Sequence, residues 1–281
     1  MSDMQALREM VDELDNVRDS EFSNLAPAVE GRVVKSRDVG LLCQLAGVYR
    51  KRHLWAEGES LLKQAMKLEP SVPEPHRSLG LLEIRRDDLP AEDSLRRAVK
   101  LFEHSIRLEK LEGERCPATH TLLGATYQSL GETDRAEAEF RIALDIDPQY
   151  EEALFNLATL RMESDPDEAS SFFQRAIEID PQYGAAYREL GVLFQKQGKF
   201  EEGEYHLRRA LELDPADYWA QMYLANLLAL QGKNTEAEQT YRFATTLHPE
   251  IKEGTEIFAR FLDSLGKQKE AAIIRGHGEP G

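Results

Sequence analysis

Cysteine is nearly absent from this chain: two in 281 residues, Cys43 and Cys116, with no CxxC spacing. That excludes a disulfide framework or a cysteine-built zinc site, and a reducing cytoplasm is the simplest expected setting. Long apolar runs are missing too. About 20 consecutive apolar residues are needed to cross a bilayer, and none occurs, so no membrane insertion is expected. The opening MSDMQALREMVDELD is acidic and amphipathic and does not read as a secretory signal. Positive charge is the third deficit, 35 Lys and Arg against 51 Asp and Glu, a net charge of −16. Such a surface repels phosphate backbones unless a basic stripe is set into it. The densest basic runs, Arg50-Lys51-Arg52 and Arg85-Arg86, are short, and Asp87 and Asp88 adjoin the second. Both read as solvated helix ends, and no nucleic-acid partner is expected.

Catalytic patterns are also lacking. The seven histidines are scattered, none in HExxH or HxH spacing, and His76 and His120 fall at equivalent helix positions where packing accounts for them. Glycines stand singly rather than in phosphate-cradling loops, and GxSxG is missing. The sequence therefore predicts no catalytic residues, no metal site, no small-molecule cofactor and no enzyme activity.

What the chain does contain is one phrase written four times. Residues 117–150, 151–183, 184–217 and 218–251 repeat with periods of 34, 33, 34 and 34 residues. A fixed period of that length marks one helix-turn-helix unit stacked on copies of itself. In 117–150, Leu123, Gly124 and Tyr127 share one face of a first helix, and Ala136, Phe140 and Ala143 share one face of a second. Gly131 is expected to end the first helix in a positive-φ conformation. Asp147-Pro148 is expected to start the next unit, Asp as a cap and Pro in the first turn. The offsets recur as Leu157, Ala158, Ala169, Phe173 and Ala176; as Leu190, Gly191, Phe194, Gly203, Leu207 and Ala210; and as Leu224, Ala225, Leu228, Ala237, Tyr241 and Ala244. The one-residue deletion falls in the turn near Ser164–Asp167, where Asp165-Pro166-Asp167-Glu168 reads as a capping box.

This pattern closely resembles the tetratricopeptide repeat family, whose signature pairs a small residue in the first helix with two alanines and an aromatic in the second, closing on proline. Upstream the resemblance continues through 39–72 (Leu45, Ala46, Tyr49, Gly58, Leu62, Ala65, Pro70). It extends through an irregular 73–116 (Leu79, Gly80, Ala98, Phe102, Ser105), with extra residues around Arg86–Asp93 and a long exit at Leu111–Cys116. The expected organisation is a helical cap at 1–38, six repeats over 39–251, capping helices at 252–275 and a flexible tail at 276–281. The cap rests on a stripe of Met4, Leu7, Val11, Leu14 and Val17, then Phe22, Leu25, Val29 and Val33. The alternative is a detachable helix that docks in the chain's own groove or on a partner.

The resemblance implies an all-α, right-handed superhelical solenoid whose first helices line a concave groove. First-helix residues off the packing stripe are then groove residues: Thr121, Ala125 and Gln128; Phe155, Asn156, Thr159 and Met162; Arg188, Val192 and Gln195; Trp219, Met222, Tyr223 and Asn226. The partner-binding set expected from these is Phe155, Asn156, Thr159, Arg188, Gln195, Trp219, Met222, Tyr223 and Asn226, rich in side-chain types found at binding hot spots. Trp55, at the start of a second helix, is expected to be structural. Some members of the family clamp acidic chaperone tails with two lysines, two asparagines and an arginine. Here Asn156, Arg188 and Asn226 are present, but Gly40, Cys43, Ala118 and Ala185 stand at the matching offsets, so that clamp is not assembled. The resemblance implies a non-catalytic adaptor or scaffold that holds a protein or extended peptide. The alternative is a regulatory or inhibitory subunit of an enzyme or of a defence or signalling complex.

Overall fold

In the computed structural model the described residues are 3–276, so all of the tail expected at 276–281 except Gly276 lies outside them. The described residues form sixteen α-helices and no strand. They fall into two compact units, Met1–Ala153 and Leu154–Gly281.

The first unit begins with α1 (Asp3–Asn16) and α2 (Asp19–Ser36), followed by the helix pair α3 (Val39–Lys51) and α4 (Trp55–Leu68). Leu7, Val11 and Leu14 of α1 and Phe22, Val29 and Val33 of α2 share one buried cluster with Leu42, Leu45 and Tyr49 of α3 and Leu61 and Leu62 of α4. Leu25, placed in the stripe from sequence, is exposed, and Ala26 is buried in its stead. A polar lock reinforces the apolar one. Arg52 donates to the carbonyls of Val17 at 2.7 Å and Leu14 at 3.2 Å, acceptors at the end of α1 that helix geometry leaves over. Its guanidinium also lies 4.2 Å from the Phe22 ring centre. The expectation that the basic runs are merely solvated helix ends thus fails for Arg52. It fails for Arg86 as well, whose side chain is 7% exposed and pairs with Glu59, Glu83 and Asp88.

α5 (Glu74–Arg85), α6 (Ala91–Glu112), α7 (Pro117–Ser129) and α8 (Thr133–Ile146) complete this unit. The extra residues of 73–116 do not become loop. They lengthen α6 to 22 residues, leaving only Arg86–Pro90 before it and a short exit after Gly113, which takes φ 78°. The end of α6 is held by a buried carboxylate. Glu109, 2% exposed, accepts from the Thr119 hydroxyl of α7 at 2.6 Å and the Ser105 hydroxyl at 3.2 Å, with Arg77 of α5 at 3.7 Å. A buried charge is tolerated only when its lone pairs are satisfied in this way.

α9 (Glu151–Arg161) leads into the second unit, with α10 (Pro166–Ile179), α11 (Gly184–Lys196), α12 (Phe200–Leu213), α13 (Tyr218–Leu230), α14 (Asn234–Leu247), α15 (Lys252–Ser264) and α16 (Gln268–Ile274). Every stripe residue read from sequence in 154–251 is buried. Small residues bring the backbones together: a Cβ on Gly203 would meet the Gly191 carbonyl at 3.0 Å and a Leu227 methyl at 2.8 Å. First helices end at Gly131, Gly198 and Gly232, all with φ between 74° and 76°. The shortened turn after α9 has no such glycine. There Asp165 accepts from the Glu168 amide at 3.0 Å with Pro166 at the first position, but the box is half formed, because the Glu168 carboxylate pairs with Arg161 instead.

The Asp-Pro pairs behave differently from expectation. Asp147, Asp180 and Asp214 close the preceding helices α8, α10 and α12, and their carboxylates accept from the amides of Gln149, Gln182 and Ala216, each at 2.9 Å. These are Asx turns, in which the short side chain replaces a backbone partner. The following helices start three residues after the proline, at Glu151, Gly184 and Tyr218, so proline sits in the linker rather than in a first turn.

Candidate functional site

The first helices of the second unit carry every residue of the expected binding set, and the structure sorts that set into three groups. Met222 is the plain correction. It is 4% exposed and lies in a cluster with Tyr218, Ala225, Tyr241 and Phe258. Thr121, Met162 and Val192, also projected onto a groove, are buried as well. The physical reason is that a first helix is covered from more than one side. α13 packs against α11, α12 and α14, and Met222 additionally approaches Gly254 of α15. A stripe of three-and-four spacing marks one covered face and misses the second.

Phe155, Thr159 and Arg188 are accessible in part but already engaged. The Phe155 ring packs at 5.6 Å on Phe173 and 5.2 Å on Tyr183, spending its area within its own repeat. The Thr159 hydroxyl donates to the Phe155 carbonyl one turn back. Arg188 donates at 2.7 Å to Asp217, the N-cap of α13, and at 3.1 Å to Glu189. Burial alone would lower the Arg188 pKa; the Asp217 hydrogen bond and charge outweigh it and hold the guanidinium above its ordinary value. Since the other Asp217 oxygen accepts from the Ala220 amide, Arg188 ties α11 to the start of α13.

In the third group, Trp219 and Asn226 remain presented. Trp219 is 42% exposed, Asn226 is exposed, and Asn156, Gln195 and Tyr223 are half-buried. Trp219 and Tyr223 stand one turn apart on α13 with ring centres 6.3 Å apart and planes inclined by 32°. Tyr218 supports Trp219 edge-on at 5.2 Å. Helical spacing puts residues 219, 223 and 226 on one strip. Trp55 makes the contrast clear: it is 7% exposed and its indole donates to Asp87 at 2.9 Å, a packed residue as expected.

Sequence reasoning missed the charges around this strip. Burial raises the Tyr223 phenol pKa, and the carboxylates of Glu189 on α11 and Glu253 on α15 raise it further against Arg188 and Lys196. Glu253 stands beside Gly254, in the segment read from sequence as a cap, which is why it escaped notice. α15 follows α14 as a further first helix, and its Gly254 lies against Tyr218 at the start of the strip.

A family model described as Tetratricopeptide repeat matches residues 121–184 and 188–250. No curated protein sequence matches. Among solved structures, the chain is similar to one in the APC/C hetero-tetramer Cut9-Hcn1, with TM-score 0.71 and 13% identity over 92% of this chain, spanning only 46% of that one. It is also similar to pilF of Pseudomonas aeruginosa, with TM-score 0.65, 14% identity and coverage of 81% of this chain and 99% of that. A tetratricopeptide repeat protein of Parabacteroides merdae gives TM-score 0.62 and 18% identity, covering 84% and 90%. At such identities these structures speak to the fold, a helical-repeat solenoid, and the repeat signature speaks to the family. Residues 121–184 and 188–250 are tetratricopeptide repeats.

Proposed function

We propose that the protein is a non-catalytic adaptor or scaffold that holds a partner protein, or an extended segment of one, on the first-helix face of its second unit. The observation that supports this most is the presented strip of Trp219, Tyr223 and Asn226. A large aromatic left 42% exposed on a helix whose neighbours are packed is the type of side chain that dominates binding energy when a partner covers it. The exposed Asn226 amide gives the face a group suited to a peptide backbone. Met222 and Arg188 drop out as anchors, one being core and the other holding Asp217.

The test is capture of partners by the full chain, followed by measurement of each identified partner against Trp219→Ala. The substitution is expected to weaken binding by about 1–4 kcal/mol while leaving the melting temperature nearly unchanged, since a half-exposed ring carries little of the core. Undiminished binding would move the site off α13. A lowered melting temperature with weakened binding would instead make Trp219 a packing residue.

A further inference from the structure

We propose that the strip on α13 takes a cationic segment, an arginine or lysine flanked by apolar residues; this rests on the reading of that strip as the partner face. α13 itself has no charged residue from Tyr218 to Leu230, so the field over Trp219 and Tyr223 comes from its neighbours. The carboxylates of Glu189 and Glu253 act on Tyr223 against two cations, Arg188 and Lys196. Both cations are already claimed: Arg188 by Asp217 and Glu189, and Lys196 by Glu163. Glu253 has no ion pair among the described residues. It directly precedes Gly254, whose backbone lies against the Tyr218 phenol at the start of the strip, and its charge acts on both Tyr218 and Tyr223. The wider setting has the same sign: residues 154–281 carry 21 acidic side chains against 14 basic.

Aromatic faces and unneutralised carboxylates favour the same ligand chemistry. The indole face attracts a guanidinium or ammonium through its quadrupole, best for tryptophan, and the attraction grows as water is displaced. An arginine stacked on Trp219 keeps its in-plane N–H groups free to meet a carboxylate, and Glu253 is the one on offer. An acidic segment would meet uncompensated negative charge and lose its own hydration for nothing. Apolar flanking residues suit the remainder of the strip, which has only ring faces and the Asn226 amide to offer.

The experiment titrates the full chain with two fluorescein-labelled peptides, one alternating arginine with leucine and alanine, the other carrying glutamate at each arginine position. Fluorescence anisotropy is read at low and at physiological salt. The basic peptide is expected to bind and the acidic one not. Trp219→Ala should weaken the basic peptide by about three- to thirtyfold. Glu253→Gln should weaken it and flatten its salt dependence, with circular dichroism confirming an unchanged fold. Because the protein is acidic overall, a basic peptide that binds equally well to both variants is held by general attraction, and this result overturns the cationic site and the α13 face together. Preferential binding of the acidic peptide, lost in Trp219→Ala, overturns the cationic occupant while the α13 face stands. Binding of neither peptide also overturns the cationic occupant.

Discussion

Gly254 is the residue on which the end of the second unit turns. A Cβ there would lie 2.8 Å from Cζ of Tyr218, and nearer still to its hydroxyl oxygen. A tyrosine ring has no soft torsion with which to retreat, so the phenol fits only because α15 has no side chain at that point. Replacing a helical glycine by alanine ordinarily stabilises, by roughly 0.5–1 kcal/mol in a helix interior, and Gly254 stands in the first turn of α15. Here overpacking costs about 1–3 kcal/mol, and Gly254→Ala is expected to lower the denaturant midpoint. An unchanged or raised midpoint would show that Tyr218 can swing aside. The same comparison shows what was legible at this scale. Ala169, Phe173 and Ala176, with their counterparts in later copies, were readable because one spacing recurred at each of them. Gly254 and Met222 were not, because their burial comes from contacts between successive first helices, which the spacing within one helix does not encode.

At the scale of elements, α11 and α12 pack around a histidine. His206 of α12 lies between Tyr187 at 6.0 Å and Phe194 at 5.4 Å from α11, with Tyr205 at 5.1 Å beside it, and its Nδ1 is buried with no hydrogen-bond partner among the described residues. Burial lowers its pKa. In the first unit His76, half-buried against His104 at 4.4 Å, is pushed down to about 4 by burial and then by the charge of His104. A group with a depressed basic pKa binds fewer protons when folded than when unfolded. Its contribution is therefore complete above the ordinary histidine range and is lost as the pH falls from there toward the folded value. Denaturant melting at pH 7.5 and 5.5 should show wild type losing stability on acidification, and His206→Phe losing less. Equal losses would mean that the ring box admits the imidazolium. Helix existence was legible throughout the chain; helix ends were less so. Asp-Pro was read as an N-terminal signal, yet the carboxylate reaches its own i+2 amide first, and the insertion in 73–116 went into α6 because Glu109 gives its last turn something to hold.

For the molecule as a whole, a repeated phrase specified the fold because each copy needs only its neighbours, so local pattern and global packing coincide. The candidate site was only half readable for the same reason. Trp219 and Tyr223 stand out within one helix, but the carboxylates that set the sign of their surroundings come from α11 and α15, some thirty residues away on either side. The Asp-Pro closures carry a further consequence, in covalent chemistry. An aspartate carboxyl can attack the carbonyl of its own peptide bond, and proline nitrogen leaves readily once protonated, so Asp-Pro bonds are the weak points of a chain in warm dilute acid. There are four here, after Asp147, Asp165, Asp180 and Asp214, and in the folded protein each of those carboxylates is occupied by a backbone amide two or three residues on. The denatured chain should therefore fragment in acid into pieces cut at the junctions and turns of its repeats. Mass spectrometry should find those four cuts ahead of any others. The joints that order the solenoid when it is folded are the seams along which it comes apart when it is not.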